Sequence, residues 1–258
     1  MELFKRVGFD DALHIITRSE DGSCTAYSKE YNEHYHSTKD GALSESLYKH
    51  IIPGYNHTKD KEDIYILDIC YGLGFNTLAT LLYYKEHAPH KKLHIYSPEL
   101  DSALVDSLIH FHYPQEFSSL RVIIETLSSF GHYKDESVEI ELYIGDAREY
   151  IKTFQDCFDI VYQDAFSPSS NPVLWTQEYF ADIKKSMKED GILTTYSTAL
   201  KTRLALYYNG FYIYLNKGEH FRNATLASMH PLQAYESVDM EHKIACNPNT
   251  QPLRDGSL

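Results

Sequence analysis

The chain has 258 residues, 43% hydrophobic and 24% charged, and its 24 Lys and Arg stand against 37 Asp and Glu for a formal charge of −13. That length suits one large domain or two small ones, and an acidic surface excludes bulk electrostatic attraction to a phosphate backbone. No apolar run approaches the ~18 residues of a membrane span, and the opening MELFKRVGFDD has no apolar signal core. Cys24, Cys70, Cys157 and Cys246 are far apart and form no CxxC pair, which argues against disulfides and structural zinc and for a reducing cytoplasm.

Two β-prone stretches, Leu13 to Thr17 and Cys24 to Tyr27, flank Glu20-Asp21-Gly22 and predict a hairpin. A Tyr- and His-rich stretch, Tyr31 to His36, precedes a helix expected from Leu43 to Ile52 and stopped by Pro53-Gly54. From residue 64 strands and helices alternate. Ile64 to Cys70 is a continuous apolar run, the mark of a strand buried on both faces. Further strands are expected at Leu93 to Ser97, Ile140 to Ile144, Phe158 to Gln163, Ile192 to Ser197 and Phe211 to Leu215. Helices are expected at Asn76 to His87, Asp101 to Phe111, Ala147 to Phe154, Thr176 to Met187 and Ala199 to Tyr208. This alternation predicts an α/β fold of βαβ units with a mainly parallel sheet. Ala224 to Met229 would return antiparallel beside Phe211 to Leu215. The chain thus divides into a hairpin-helix extension over 1–60, a Rossmann-like domain over 61–230 and a loosely ordered tail over 231–258.

In an open parallel sheet, ligands sit beyond the carboxyl ends of the strands. The first such end carries Asp68-Ile69-Cys70-Tyr71-Gly72-Leu73-Gly74-Phe75-Asn76. Its glycines allow close backbone approach, and the next helix presents free N–H groups. A GxG alone is a weak sign, equally a tight strand-to-helix turn. The next strand ends at Glu99, placed to grip ribose hydroxyls, and the following one in Gly145-Asp146-Ala147. Thr77 stands where a dinucleotide fingerprint needs Gly or Ala. A nucleoside without pyrophosphate suits these carboxylates better, and S-adenosylmethionine, which carries a sulfonium cation, is the expected cofactor. At the fourth strand end comes Asp164-Ala165-Phe166-Ser167-Pro168. Asp164 would orient an amine and take its proton, Phe166 would stack on a base, and Pro168 would stiffen the loop. The plainer alternative is a turn whose Asp caps a helix.

Asp164 to Pro168, followed by Asn171-Pro172 and Trp175-Thr176, resembles the methyltransferase part of the MnmC-type tRNA wobble-uridine modification enzymes. So do Asp21-Gly22-Ser23, Glu33 to Ser37, Gly41 to Ser46 and Gly72 to Asn76, and the likeness runs from about residue 17 to 229. The resemblance implies a class I S-adenosylmethionine-dependent methyltransferase fold, Rossmann-like with helices on both faces, with an amino-terminal hairpin added. It implies methylation of the exocyclic amine of 5-aminomethyl-(2-thio)uridine at the wobble position in the tRNA anticodon loop. Gly72, Gly74 and Asn76 would line the methionine end, Glu45 would reach the amino acid moiety, Glu99 the ribose and Asp146-Ala147 the adenine. Asp164 would be the catalytic carboxylate. Cys70 stands where the family usually has the first glycine of its loop. Many relatives carry a fused flavin oxidase; this chain shows no fingerprint for one, so no flavin is expected, and a separate enzyme would supply the aminomethyl group.

Tyr31, Tyr35, Phe166 and Trp175 are candidates to pack around a flipped-out base. A tRNA binder at −13 needs a local basic face, and Ala199 to Asn223 offers Lys201, Arg203, Lys217, His220 and Arg222. His34 and His36 share a strand face but lack a third ligand, so no metal is expected. Two rivals remain: a polyamine aminopropyltransferase, which suits the negative charge, and a non-catalytic S-adenosylmethionine-binding scaffold in tRNA modification.

Overall fold

A computed structural model describes residue 9 and residues 12–219 and 221–258. Its strands are β1 (His14–Arg18), β2 (Cys24–Ser28), β3 (Glu33–His34), β4 (Asp63–Ile69), β5 (Lys92–Glu99), β6 (His132–Lys134), β7 (Val138–Ile144), β8 (Phe158–Gln163), β9 (Met187–Thr195), β10 (Tyr212–Asn216), β11 (Ala224–Ser228) and β12 (Glu236–Ser237). The first three form a small antiparallel sheet. The other nine form one sheet in the order β12-β10-β11-β9-β8-β4-β5-β7-β6. β4, β5, β7, β8 and β9 run parallel, and β11 lies antiparallel between β9 and β10. The chain leaves β4 in one direction toward β5 and β7, then returns to lay β8 on its other edge, which opens a crevice beyond the carboxyl ends.

Every residue of β8 is buried, as expected for a strand covered on both faces. Alternation along β4 and β8 sorts the core. Ile64, Ile66, Ile160 and Tyr162 pack with Leu78, Leu81 and Tyr84 of the helix Phe75–His87 and with Ile124 and Leu127 of Arg121–Phe130. Leu67, Ile69 and Val161 face Phe180 and Ile183 of Gln177–Ser186 and Leu204 of Leu200–Tyr208.

Three segments depart from the sequence-based expectation. The helix near residue 50 runs through Pro53-Gly54 to His57. Its middle, Ser46–Ile51, is a π turn, widened just ahead of a proline that brings no N–H and would crowd the carbonyl four residues back. Gly54 lets this helix close on β8, since a Cβ there would stand 3.0 Å from Ile160 Cδ1. The span 112–137, without an expected element, holds Arg121–Phe130 and the edge strand β6. Finally, the tail expected to be loosely ordered is tied to the domain. β12 pairs with β10, Met240 of the helix Met240–Cys246 is buried, and Leu253 bridges to Thr176.

Candidate active site

The ends of β4, β5, β7 and β8 open on a cavity of about 760 Å³, within the range of small-molecule sites. Cys70, Gly72 and Gly74 all hold left-handed backbone, with φ of 66°, 53° and 77°. Cys70 therefore adopts the conformation a glycine would favour. At Gly72 an added Cβ would meet the Tyr35 ring at 3.0 Å, so the loop approaches the cavity wall as closely as it does only without a side chain. Gly72 N–H donates to Glu99 Oε2 at 2.8 Å, while Glu99 Oε1 accepts from the amides of Leu100 and Asp101 at 2.8 and 2.9 Å. Burial pushes the Glu99 carboxyl up despite these bonds. Asp146 lines the cavity and caps the helix Ala147–Ile151 through Arg148 N–H at 2.7 Å, so the capping and lining roles coexist.

Asp164 lies one residue beyond β8 with its side chain 9% exposed. Asn76 Nδ2 donates to its Oδ2 at 2.8 Å, and His50 Nε2 is 3.4 Å from its Oδ1. Burial alone would raise the Asp164 carboxyl; His50, His36 and Asn76 outweigh it and bring it below the usual carboxylate range. Asp68, at the end of β4, receives Thr77 Oγ1 at 2.8 Å and Asn76 Nδ2 at 3.4 Å. Burial, only partly offset by these bonds and by His50, pushes its carboxyl up to about 7. Two buried carboxylates at adjacent strand ends are thus driven apart, an arrangement typical of sites that move protons.

The loop after Asp164 is fixed from three sides. Tyr196 and Trp175 donate to the carbonyls of Ala165 and Phe166 at 3.0 and 2.7 Å. Glu33 on β3 accepts from Ser167 Oγ and N at 2.8 and 3.1 Å. The Tyr31 ring stacks on Phe166 with centroids 4.5 Å apart, and Tyr35 leans on Phe166 at 4.8 Å. The small amino-terminal sheet is thereby a wall of the cavity.

Of the sequence-derived candidates, Glu45, Gly72, Glu99, Asp146, Ala147, Asp164, Tyr31, Tyr35, Phe166 and Arg222 line this cavity. Glu45 is already engaged by Lys49 Nζ and by Ser37 N–H at 2.7 Å. Others stand elsewhere. Gly74 starts the helix behind the loop, against Tyr71. Asn76 reaches Asp164 and not the cavity lining, so it positions the carboxylate. Pro168 is outside the lining. Trp175 is 1% exposed and holds the loop from behind through its bond to the Phe166 carbonyl.

Of the expected basic face, Arg203 takes no part. Arg203 is buried and bonded to Thr225 Oγ1 at 3.0 Å, because its helix turns that side to the core. Lys217 pairs with Glu236, Arg222 pairs with Asp40 at 3.2 Å, and exposed Lys201 is not in the lining. His220 lies outside the described residues. The cations at the mouth are Lys39 and Arg222. His34 and His36 join no group of three metal-binding side chains among the described residues. Sequence reasoning missed His50, Lys49, Asp68 and Tyr196; Asp68 and Tyr196 fall at strand ends and were open to the same rule as Asp164, whereas a histidine and a lysine inside a helix carry no local signal.

The lining suits a cationic nucleoside. Glu99, Asp101, Asp146 and Asp164 make this lining acidic, which favours a cation such as a sulfonium. A family model described as S-adenosyl-L-methionine-dependent methyltransferase matches residues 123–230. The crystal structure of MNMC2 from Aquifex aeolicus superposes with a TM-score of 0.80 at 31% identity, over 95% of this chain and 79% of that one. An uncharacterised protein of Methanocaldococcus jannaschii is 32% identical over 250 residues, 95% of this chain and 68% of that protein. The tRNA 5-methylaminomethyl-2-thiouridine biosynthesis bifunctional protein MnmC of Azoarcus sp. is 31% identical over 210 residues, 76% of this chain; the match spans only 32% of that longer protein. On these grounds the chain belongs to the MnmC-type family of S-adenosyl-L-methionine-dependent methyltransferases.

Proposed function

We propose that this methyltransferase converts 5-aminomethyl-(2-thio)uridine to 5-methylaminomethyl-(2-thio)uridine at the tRNA wobble position. The observation that carries the reading is Asp164: a strand-end carboxylate, held by Asn76 and His50, faces a cavity whose rim is the Tyr31–Phe166 stack. S-adenosylmethionine supplies the methyl group as a sulfonium electrophile. The chain's own residues bind and orient. Glu99 and Asp146 hold the nucleoside end, with Gly72 leaving room, and Glu45 with its Lys49 partner lies toward the amino acid end. Asp164 orients the amine and takes its proton, because only a neutral amine attacks. Phe166 and Tyr31 offer faces to a base already unstacked in a loop. Lys39 and Arg222 at the mouth meet the phosphates, so binding is salt-sensitive. The aminomethyl group must exist before this step, so a separate activity supplies it, in the same cytoplasm.

The test is methyl transfer from labelled S-adenosylmethionine to tRNA from cells lacking the gene, followed by nucleoside analysis. A new methylaminomethyl-uridine peak with loss of the aminomethyl precursor is expected. Cofactor binding without transfer, the precursor being present, would overturn the tRNA reading. The acidic lining favours a second reading, an aminopropyltransferase on polyamines, and consumption of decarboxylated S-adenosylmethionine would establish it.

A further inference from the structure

His50 is fully buried in the π turn Ser46–Ile51, and its two ring nitrogens face different groups. Nδ1 is 2.7 Å from Thr194 Oγ1. Nε2 is 3.4 Å from Asp164 Oδ1 and has no aligned hydrogen-bond partner among the described residues. Thr194 Oγ1 carries one hydrogen and also lies 3.5 Å from the Val161 carbonyl, toward which it can only donate. With its hydrogen there, the hydroxyl accepts from His50 Nδ1–H. The neutral ring then presents a lone pair at Nε2 to a carboxylate oxygen. Two buried acceptors facing each other without a hydrogen between them are unfavourable. One proton placed between them removes the conflict. The other carboxylate oxygen already has its donor in Asn76.

We propose that Asp164 and His50 work as one base, in which Asp164 takes a proton from the bound ammonium and His50 Nε2 keeps it. This rests on the amine-methylation reading above. An N–H bond of the ammonium breaks and leaves its electron pair on nitrogen as an O–H bond forms on Asp164. That O–H then breaks as Nε2–H forms, which restores the carboxylate beside an imidazolium. His50 acts through Asp164 and is a positioning residue. The charged and titratable groups around His50 are Asp164, His36 on the cavity side, Asp68 beyond Asn76, and Tyr162, whose ring lies 5.5 Å away.

The first readout needs neither cofactor nor tRNA: nitrogen NMR of the full chain with labelled histidines. Nδ1 is expected to stay protonated while Nε2 gains its proton as pH falls. At the pH of half-protonation in wild type, Asp164→Asn should lower the protonated fraction at least about fivefold, a bias of one unit charge partner. A ring protonated at Nε2 and bare at Nδ1 throughout, with Thr194 as the donor, overturns the proposal. The second readout is single-turnover transfer to tRNA. His50→Gln should lower the rate about tenfold, with KM for tRNA within about twofold, and move the acid limb of the pH profile. An unshifted limb overturns the proposal. Should His50→Gln fail to fold, Thr194→Val keeps the ring and removes its lock; a bare Nδ1 with unchanged transfer also overturns it. If wild type binds cofactor and methylates no amine, the substrate reading fails while the NMR titration still decides the dyad.

Discussion

β8 carries an aspartate at each end, and the two are held in opposite ways. Asp159 is fully buried near the start of the strand and accepts from Lys61 Nζ at 2.6 Å, Lys188 Nζ at 2.9 Å and Tyr65 N–H at 2.9 Å. Its charge is matched twice over. Asp164, just past the other end, is held by an amide and an imidazole, and one side faces the cavity. The first carboxylate is saturated with lysines; the second is kept by groups that are neutral or can titrate, a setting that suits the proton exchange proposed for it.

Removing charge at each end should therefore separate activity from stability. Asp164→Asn is expected to slow methyl transfer on the order of 10³-fold, about 4 kcal/mol of barrier, with S-adenosylmethionine affinity within about threefold by calorimetry. Unchanged turnover in single-turnover assays would take Asp164 out of the reaction. Asp68 sharpens the same end through pH. Its folded carboxyl is raised to about 7, above the unfolded value near 4. The folded state then binds the extra proton between these values, so stability is full below about pH 4 and falls as pH rises through about 7, by up to roughly 4 kcal/mol. Urea midpoints should drop between pH 5 and pH 8 in wild type and drop less in Asp68→Asn; equal slopes would show that another group titrates.

At the opposite end, Asp159→Ala should cost about 2 kcal/mol in urea unfolding, because Tyr65 N–H loses its acceptor while the partly exposed lysines turn to water. Transfer rate should stay within about twofold, and a large loss of activity without loss of stability would break the comparison. The smallest effect is expected of Trp175→Phe, which removes the indole donor to Phe166: about 1 kcal/mol, read as a drop of roughly 2–4 °C in melting temperature.

The sheet and the cavity floor were legible because both follow from strand order. Apolar runs such as Phe158 to Gln163 mark buried strands, and a crevice lies beyond their ends, so Glu99, Asp146 and Asp164 could be named from position alone. What sequence could not give was the inward turn of a helix. Arg203 reads as surface cation and is core, since propensity does not say which face a helix buries. His50 reads as nothing in particular, yet a widened turn ahead of Pro53 sets its ring against a strand 144 positions away in sequence. Arg121–Phe130 went unnoticed even though its buried Ile124, Leu127 and Ser128 recur at helical spacing.

The placement of β11 has a consequence for how the chain comes together. It follows β10 in sequence but sits between β10 and β9, so β10 and β12 have no place in the sheet until β11 has arrived to hold them. During synthesis the outer third of the sheet is the last to assemble, and the chain carries an open edge at β9 until residue 228 is made. That edge adjoins Tyr196, which fixes the loop of Asp164. The open edge therefore lies beside the loop that carries Asp164 until the last interior strand is inserted.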